Sequence, residues 1–372
     1  MLDTGRHPNI NILAYSELKK VKGEAGNFLA QVTKKARYVK EDICNACGDC
    51  VAKCPRKVPD EFEMGLGKRR AIYLYFLQGI PAVMTIDKEN CTYFEKGKCR
   101  VCEKFCQKGA IDFRQKDETL TLKVGAIVVA TGLEIFDPSR LTQYGYGRIK
   151  NIITGLQYER LINATGPTGG HLKRPSDGRL AQRVAYVQCV GSRDLNYCDY
   201  CFHVCCMTSI KDAMLARAHE PNSVSYIFHT DLRGVGKWFQ DYQKRGKEEY
   251  GINFIRGRVA EITEDRGQNP VLWYEETTSR EVKSLTVDLV ILATAVMPSR
   301  GSKGLARVLG IEVDKYGFIK NGFPYPTDTS VLGIFACGFC KGPADISESV
   351  TQASAAAWRA AEVVLNLSEI TR

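Results

Sequence analysis

Eight of the chain's fifteen cysteines stand in two short runs. The first holds Cys44, Cys47, Cys50 and Cys54 in CNACGDCVAKCP, and the second holds Cys91, Cys99, Cys102 and Cys106 in CTYFEKGKCRVCEKFCQ. Thiolates are soft donors, and runs at this spacing suit iron–sulfur clusters, which move electrons one at a time. Three thiolates two residues apart come from one tight loop and hold three irons of a cube, so the fourth ligand must arrive from elsewhere. Where two clusters share such runs, it comes from the other run. The expected sets are therefore Cys44, Cys47, Cys50 and Cys106 for one [4Fe–4S] cluster, and Cys91, Cys99, Cys102 and Cys54 for a second.

Pro55 follows Cys54 as the motif requires. Gln107 stands where a second proline is usual and the Cys91 to Cys99 interval is widened, which marks a modified second loop that keeps its site. Zinc sites and disulfides are the alternatives for paired CxxC runs. The C-x2-C-x2-C-x3-C-P run is more specific than a zinc ribbon and reads as the spacing of a two-cluster ferredoxin.

A third group is less common. VQCVGSRDLNYCDYCFHVCCM places Cys189 at the end of an apolar strand pattern, followed by Cys198, Cys201, Cys205 and Cys206, so five thiols compete for four places. Adjacent cysteines point in different directions, and Cys205 and Cys206 can reach one cluster only from an irregular turn or the start of a helix. The following MTSIKDAMLARAHE has apolar residues at helical spacing. A redox thiol pair is the competing reading.

The elements that must position these groups follow an α/β pattern. VGAIVVATG (124–132) and VDLVILATA (287–295) are short buried-strand runs, and RVAYVQCVGS (183–192) is a strand entering a glycine turn. Such strands end where backbone passes close to a nucleotide. GIFACGFCKGPADISESVTQASAAAWRAAEVVL (333–365) is a strand, a glycine turn and an Ala-rich helix beginning near Ser347. The free N–H groups of a helix start can stabilise phosphate or the electron-rich edge of a flavin. Segment 230–262 reads as a loop, a polar helix and a strand pair.

With 372 residues the chain exceeds a single-core domain. Its amino terminus lacks a signal-peptide core, and its longest apolar runs are too short to span a bilayer, so no membrane insertion is expected. Fifteen cysteines suit a reducing, cytoplasmic and anaerobic setting. A net charge of +10 raises the question of nucleic acid, but the basic residues are scattered without interleaved aromatics. Cubanes with four thiolates carry about two negative charges each and offset much of the excess.

Taken together, CxxCGDCVxxCP, RRAIYLYFLQGIPAV (69–83), VGAIVVATG, YGYGR (144–148), ATGPTGG (164–170), QCVGSRD (188–194), the CC pair followed by IKDAM, and CGFCKGPADI resemble the A-type subunits of heterodisulfide reductase, an iron–sulfur flavoprotein family. The resemblance implies an α/β, thioredoxin-reductase-like FAD/nucleotide-binding fold with an inserted two-cluster, ferredoxin-like (α+β) domain at 41–110. Residues 1–40, 111–150 and 328–372 would form a partial FAD-binding domain, and 151–327 a second nucleotide-binding-like domain. In the family the third [4Fe–4S] cluster uses a lone cysteine, a gap and C-x3-C-C. This selects Cys189, Cys201, Cys205 and Cys206 and leaves Cys198 spare. Lys211 matches a family lysine close to the flavin ring and Glu159 a nearby carboxylate, a pair able to deliver or withhold a proton. Further FAD contacts are expected at Thr131, Gly132, Gly338, Pro343, Asp345 and Val350.

One departure concerns the missing strand-GxGxxG-helix unit for the FAD pyrophosphate, which should precede residue 1. A separately encoded subunit that completes the FAD site is the favoured expectation, with truncation or loss of FAD as alternatives. A shortened member of the family, without the additional C-terminal cluster domain of many members, is expected. In family terms the chain is an oxidoreductase subunit taking part in flavin-based electron bifurcation. Its expected partners are heterodisulfide reductase B/C-type subunits, a hydrogenase or formate dehydrogenase type donor, and ferredoxin. The competing readings are a cluster-only electron-transfer module and the related subunit of a quinone-interacting or aromatic-ring reductase complex.

Overall fold

The computed structural model describes residues 2–234, 236–322 and 324–365. The chain forms two compact units, Met1–Ile127 with Arg307–Gly310 and Val363–Arg372, and Val128–Ala306 with Ile311–Glu362. Residues 128–150 and 328–362 thus pack within the second unit.

In the first unit, β1 (Ser16–Glu24), β2 (Asn27–Lys34) and β3 (Glu118–Val124) form an antiparallel sheet in that order. The cysteine runs lie in the long excursion between β2 and β3. They are drawn together by the backbone on either side: Lys40 N–H donates to the Ala110 carbonyl at 2.8 Å, and Asp112 N–H to that of Tyr38 at 3.0 Å. This crossing sets the entry to the first run beside the exit of the second. Val39, Ile72, Met84, Ile86, Ala110 and Ile111 are buried around Cys50 and form the local core. Two single-turn helices, Asp49–Lys53 and Val101–Lys104, begin inside the two cysteine motifs and pack against each other.

A seven-stranded sheet dominates the second unit. Its strands are β4 (Ile152–Thr154), β5 (Arg183–Val190), β6 (Val224–His229), β7 (Asn253–Glu264), β8 (Pro270–Glu276), β9 (Glu281–Thr286) and β10 (Leu289–Thr294), in the order β4-β10-β5-β6-β7-β8-β9. The first five in this order are parallel, and β5 and β10 are nearly continuous apolar runs because both their faces are covered. β7 changes partner midway: residues 253–256 pair with β6, and 257–264 pair antiparallel with β8.

Helix α1 (Gly155–Leu161) starts at a capping box in which the Thr154 hydroxyl and the Gln157 side chain satisfy each other's backbone N–H groups. Helix α2 (Cys205–His219) covers β5 and β6. The polar helix expected in 230–262 is α3 (Phe239–Glu248). The last helix, α4, runs from Ile346 to Val364. Among the described residues no helix is long and apolar enough to cross a membrane.

The turn after β5 depends on one glycine. Gly191 has φ +74, and a Cβ there would stand 2.5 Å from the ring of Phe136, which is itself buried. Gly191→Ala therefore combines a left-handed backbone penalty with overpacking, and should destabilise by roughly 2–5 kcal/mol. Anaerobic denaturant titration would register this as a lowered midpoint.

Candidate functional site

Each cysteine run of the first unit contributes to two hollows. One is lined by Cys44, Cys47, Cys50 and Cys106, the other by Cys54, Cys91, Cys99 and Cys102. Each hollow takes three thiols from one run and one from the other, the exchange expected from the spacing. Gly48, at φ +90, turns the first loop so that Asp49–Lys53 can start within it. Ala110 N–H donates to Cys106 Sγ at 3.3 Å, so the lone ligand of the first quartet is fixed by the crossing that set the two runs together.

Burial pushes the Cys50 thiol up to about 11 and the Cys102 thiol up to about 12, and raises that of Cys91. Such sulfurs ionise at neutral pH only against a compensating cation, which is what iron supplies. Among the described residues no three His, Cys, Asp or Glu side chains converge on one ion-sized point. The quartets instead ring open hollows, an arrangement that fits a multi-iron cubane.

The third group gathers where β5 meets its turn and α2 begins. Cys189 has φ +60 next to an irregularity in the β5–β10 register, a conformation unusual for a side-chain-bearing residue. Its sulfur faces those of Cys206 and Cys201, and Cys205 faces Cys206, Cys189 and Cys201. Cys205 and Cys206 are the first two residues of α2, which resolves how neighbours can share a site. The Cys205 thiol hydrogen-bonds Cys206 and lowers it to about 7. His203 N–H donates to Cys201 Sγ at 3.3 Å. Cys198 is buried in the core cluster that also holds Phe136, and the polar groups acting on it are Tyr200, Arg140, Asp199 and Asp194. Arg193, which sequence reasoning passed over, hydrogen-bonds Cys189 and pairs with Asp231. Its only signal was its place in the QCVGSRD turn.

A cavity of about 620 Å³ opens between the start of α2 and the start of α4. Met207, Phe239 and Phe339 give it an apolar wall, and Thr208, Asp345, Ser347 and Ser349 supply polar groups. Its size and lining suit a planar cofactor ring. Of the expected flavin contacts, Asp345 and Val350 line it, whereas Thr131, Gly132, Lys211, Gly338 and Pro343 are not among its lining residues, nor is Glu159. The Asp345 carboxylate accepts from Glu348 N–H at 2.7 Å while Glu348 accepts from Asp345 N–H at 2.8 Å, so this aspartate also caps α4. Gly338 N–H donates to the side-chain carbonyl of Gln352 on α4 at 2.9 Å.

Lys211 lies one turn beyond Thr208 on α2 and is bonded to Glu159 of α1. Its Nζ also stands 3.1 Å from Asp212 Oδ1, without the alignment of a hydrogen bond. Burial works against the Lys211 charge, but the Asp212 and Glu159 carboxyls outweigh it and hold the ammonium above its ordinary value.

No family model matches the chain. Among curated proteins, it is 44% identical over 361 residues to the iron–sulfur A-type subunit of CoB–CoM heterodisulfide reductase from Methanocaldococcus jannaschii, covering 96% of this chain and 54% of that protein. It is 42% identical over 364 residues to the A-type subunit of the H2:CoB–CoM heterodisulfide, ferredoxin reductase of Methanothermobacter thermautotrophicus, covering 97% and 54%. Among solved structures, it is similar to thioredoxin reductase from Lactococcus lactis, with a TM-score of 0.43, 17% identity, and coverage of 80% of this chain and 86% of that one. The T. acidophilum enzyme gives a TM-score of 0.42, 15% identity, and coverage of 80% and 85%. The chain spans about half the length of the curated relatives it matches. Over nearly its whole length, it belongs to the family of heterodisulfide reductase A-type subunits.

Proposed function

We propose that the chain is an electron-transfer subunit of a heterodisulfide-reductase-type oxidoreductase that holds three [4Fe–4S] clusters and takes part in binding FAD. The observation that carries this reading is the pair of hollows lined by interleaved cysteine quartets, a geometry with little use outside two-cluster ferredoxin-like domains. In this reading 41–110 is that domain. Residues 1–40, 111–150 and 328–372 belong with the flavin, and 151–327 carry the third cluster on Cys189, Cys201, Cys205 and Cys206.

FAD, when bound, supplies exchange between electron pairs and single electrons, and cubanes supply one-electron steps. The chain's own residues do the rest. Cysteine thiolates hold and insulate the clusters, and Arg193 places a positive charge beside Cys189. The apolar wall of Met207, Phe239 and Phe339 excludes water from one side of the cavity. Lys211, one turn further along α2, and Glu159 of α1 hold a proton between them. The names of the relatives point to a heterodisulfide, to ferredoxin and to H2 as the couples that the complex would connect. Bifurcation between them is part of the proposal.

Iron and FAD content after anaerobic purification, with and without co-purifying partners, tests it. The expected result is about twelve irons per chain, with FAD present in the assembled sample. About twelve irons without flavin in either sample would leave a cluster-only conduit, and about eight would remove the third cluster.

A further inference from the structure

Asp212 is a buried acid to which the function proposed above gives no task. It sits on α2 with 1% of its surface exposed, although it neighbours the charged Lys211 and Glu159. The titratable groups that face it come from several elements: Lys211 on its own helix, Glu159 and Tyr158 on α1, Tyr186 on β5 and Tyr242 on α3. Tyr158 offers it no relief, because its hydroxyl donates to the Asp212 main-chain carbonyl at 2.7 Å, not to the carboxyl. Asp212 Oδ1 and the Tyr186 hydroxyl both lack hydrogen-bond partners among the described residues. One lysine therefore faces two carboxyls in a pocket otherwise walled by neutral phenols. Two carboxylates against one ammonium would leave a net negative charge in a poorly solvated place, and the less solvated acid is the one that keeps a proton.

We propose that Asp212 is the internal proton store of this site, recharging Lys211 after the lysine has given a proton to the flavin. This rests on the reading that a flavin binds beside Lys211. The steps would balance: with a flavin bound within reach of Lys211, an Nζ–H bond of the lysine would break as a basic atom of the flavin took the proton. The Asp212 O–H then breaks and Nζ–H re-forms, leaving an Asp212 carboxylate against a Lys211 ammonium. The trio starts neutral overall and ends with one negative charge, which bulk solvent later cancels through the partly exposed Glu159 and Lys211. Asp212 acts through Lys211, 3.1 Å away, so it is a positioning residue in this scheme.

Burial, followed by the Glu159 charge, raises the Asp212 carboxyl to about 8. The test is infrared titration of the anaerobically purified, cluster-loaded chain labelled with 13C-aspartate. A protonated carboxyl is expected at neutral pH, titrating at about 8, absent in Asp212→Asn and shifted to lower pH in Glu159→Gln. No protonated aspartate at neutral pH, or a band that survives Asp212→Asn, overturns the proposal. In flavin-loaded protein, the pH slope of the flavin potential should break near the same pH in the wild type and lose that break in Asp212→Asn. Identical slopes also overturn it. Absence of flavin from every preparation sinks the flavin reading instead, and is visible before any titration. The infrared arm then still decides whether Asp212 holds the proton.

Discussion

Pairs of cysteine substitutions should separate interleaved clusters from clusters confined to one run. Cys47→Ser with Cys106→Ser removes two ligands of the same quartet, and iron is expected to fall from about twelve to about eight per chain. Cys47→Ser with Cys54→Ser takes one ligand from each hollow, and iron should fall to about four. The two doubles remove the same number of thiols, so a general loss of stability would affect both alike. If each run held its own cluster, the order would reverse: the Cys47/Cys54 double would keep about eight irons and the Cys47/Cys106 double about four. Iron analysis with electron paramagnetic resonance of the reduced protein reads the difference directly. The prediction rests on which sulfurs line each hollow.

The second large effect concerns the choice of four thiols from five. Cys201→Ser should abolish the third cluster and lower iron by about four per chain, whereas Cys198→Ser should leave iron unchanged. Cys198 is buried in the same core cluster as Phe136, and the polar groups acting on it are Tyr200, Arg140, Asp199 and Asp194, not other thiols. Serine there would cost some folding stability by placing a hydroxyl in an apolar setting, but it would not touch the cluster spectrum. Loss of the third cluster in Cys198→Ser, with retention in Cys201→Ser, would overturn the assignment. The two residues are three apart in one loop, so the contrast controls for local disruption.

Much of the cysteine grouping was legible in the chain because the thiols are close in sequence. A C-x2-C-x2-C loop can close on one side of a cube without help from distant residues, and the partner run announces itself by similar spacing. The β5 strand and the α2 helix were also legible. Their periodicities are strong, and the observed Arg183–Val190 and Cys205–His219 differ from expectation only near their ends. The run at 124–132 fared less well: Val124 closes β3 and only Ile127–Val129 forms a strand of its own. The lining of the cavity was the least legible. Met207, Phe239 and Phe339 come from three separate parts of the chain and carry no motif, while Gly338 has its N–H taken by Gln352.

Sequence by itself determined the number and type of potential iron ligands, and the order of strands and helices that carry them. Local spacing and side-chain chemistry suffice for that, since neither depends on where the chain goes next. Spacing named the sulfurs expected to share a hollow, and the tertiary structure decided how they meet there, because the 38–40 and 110–112 backbone pairing is what sets the runs together. It also decided that Cys198 turns into the core and that Asp212, next to a half-exposed lysine, is sealed from water. Burial is a property of the packed whole. It sets the charge state of an acid or a thiol as strongly as its chemical identity does.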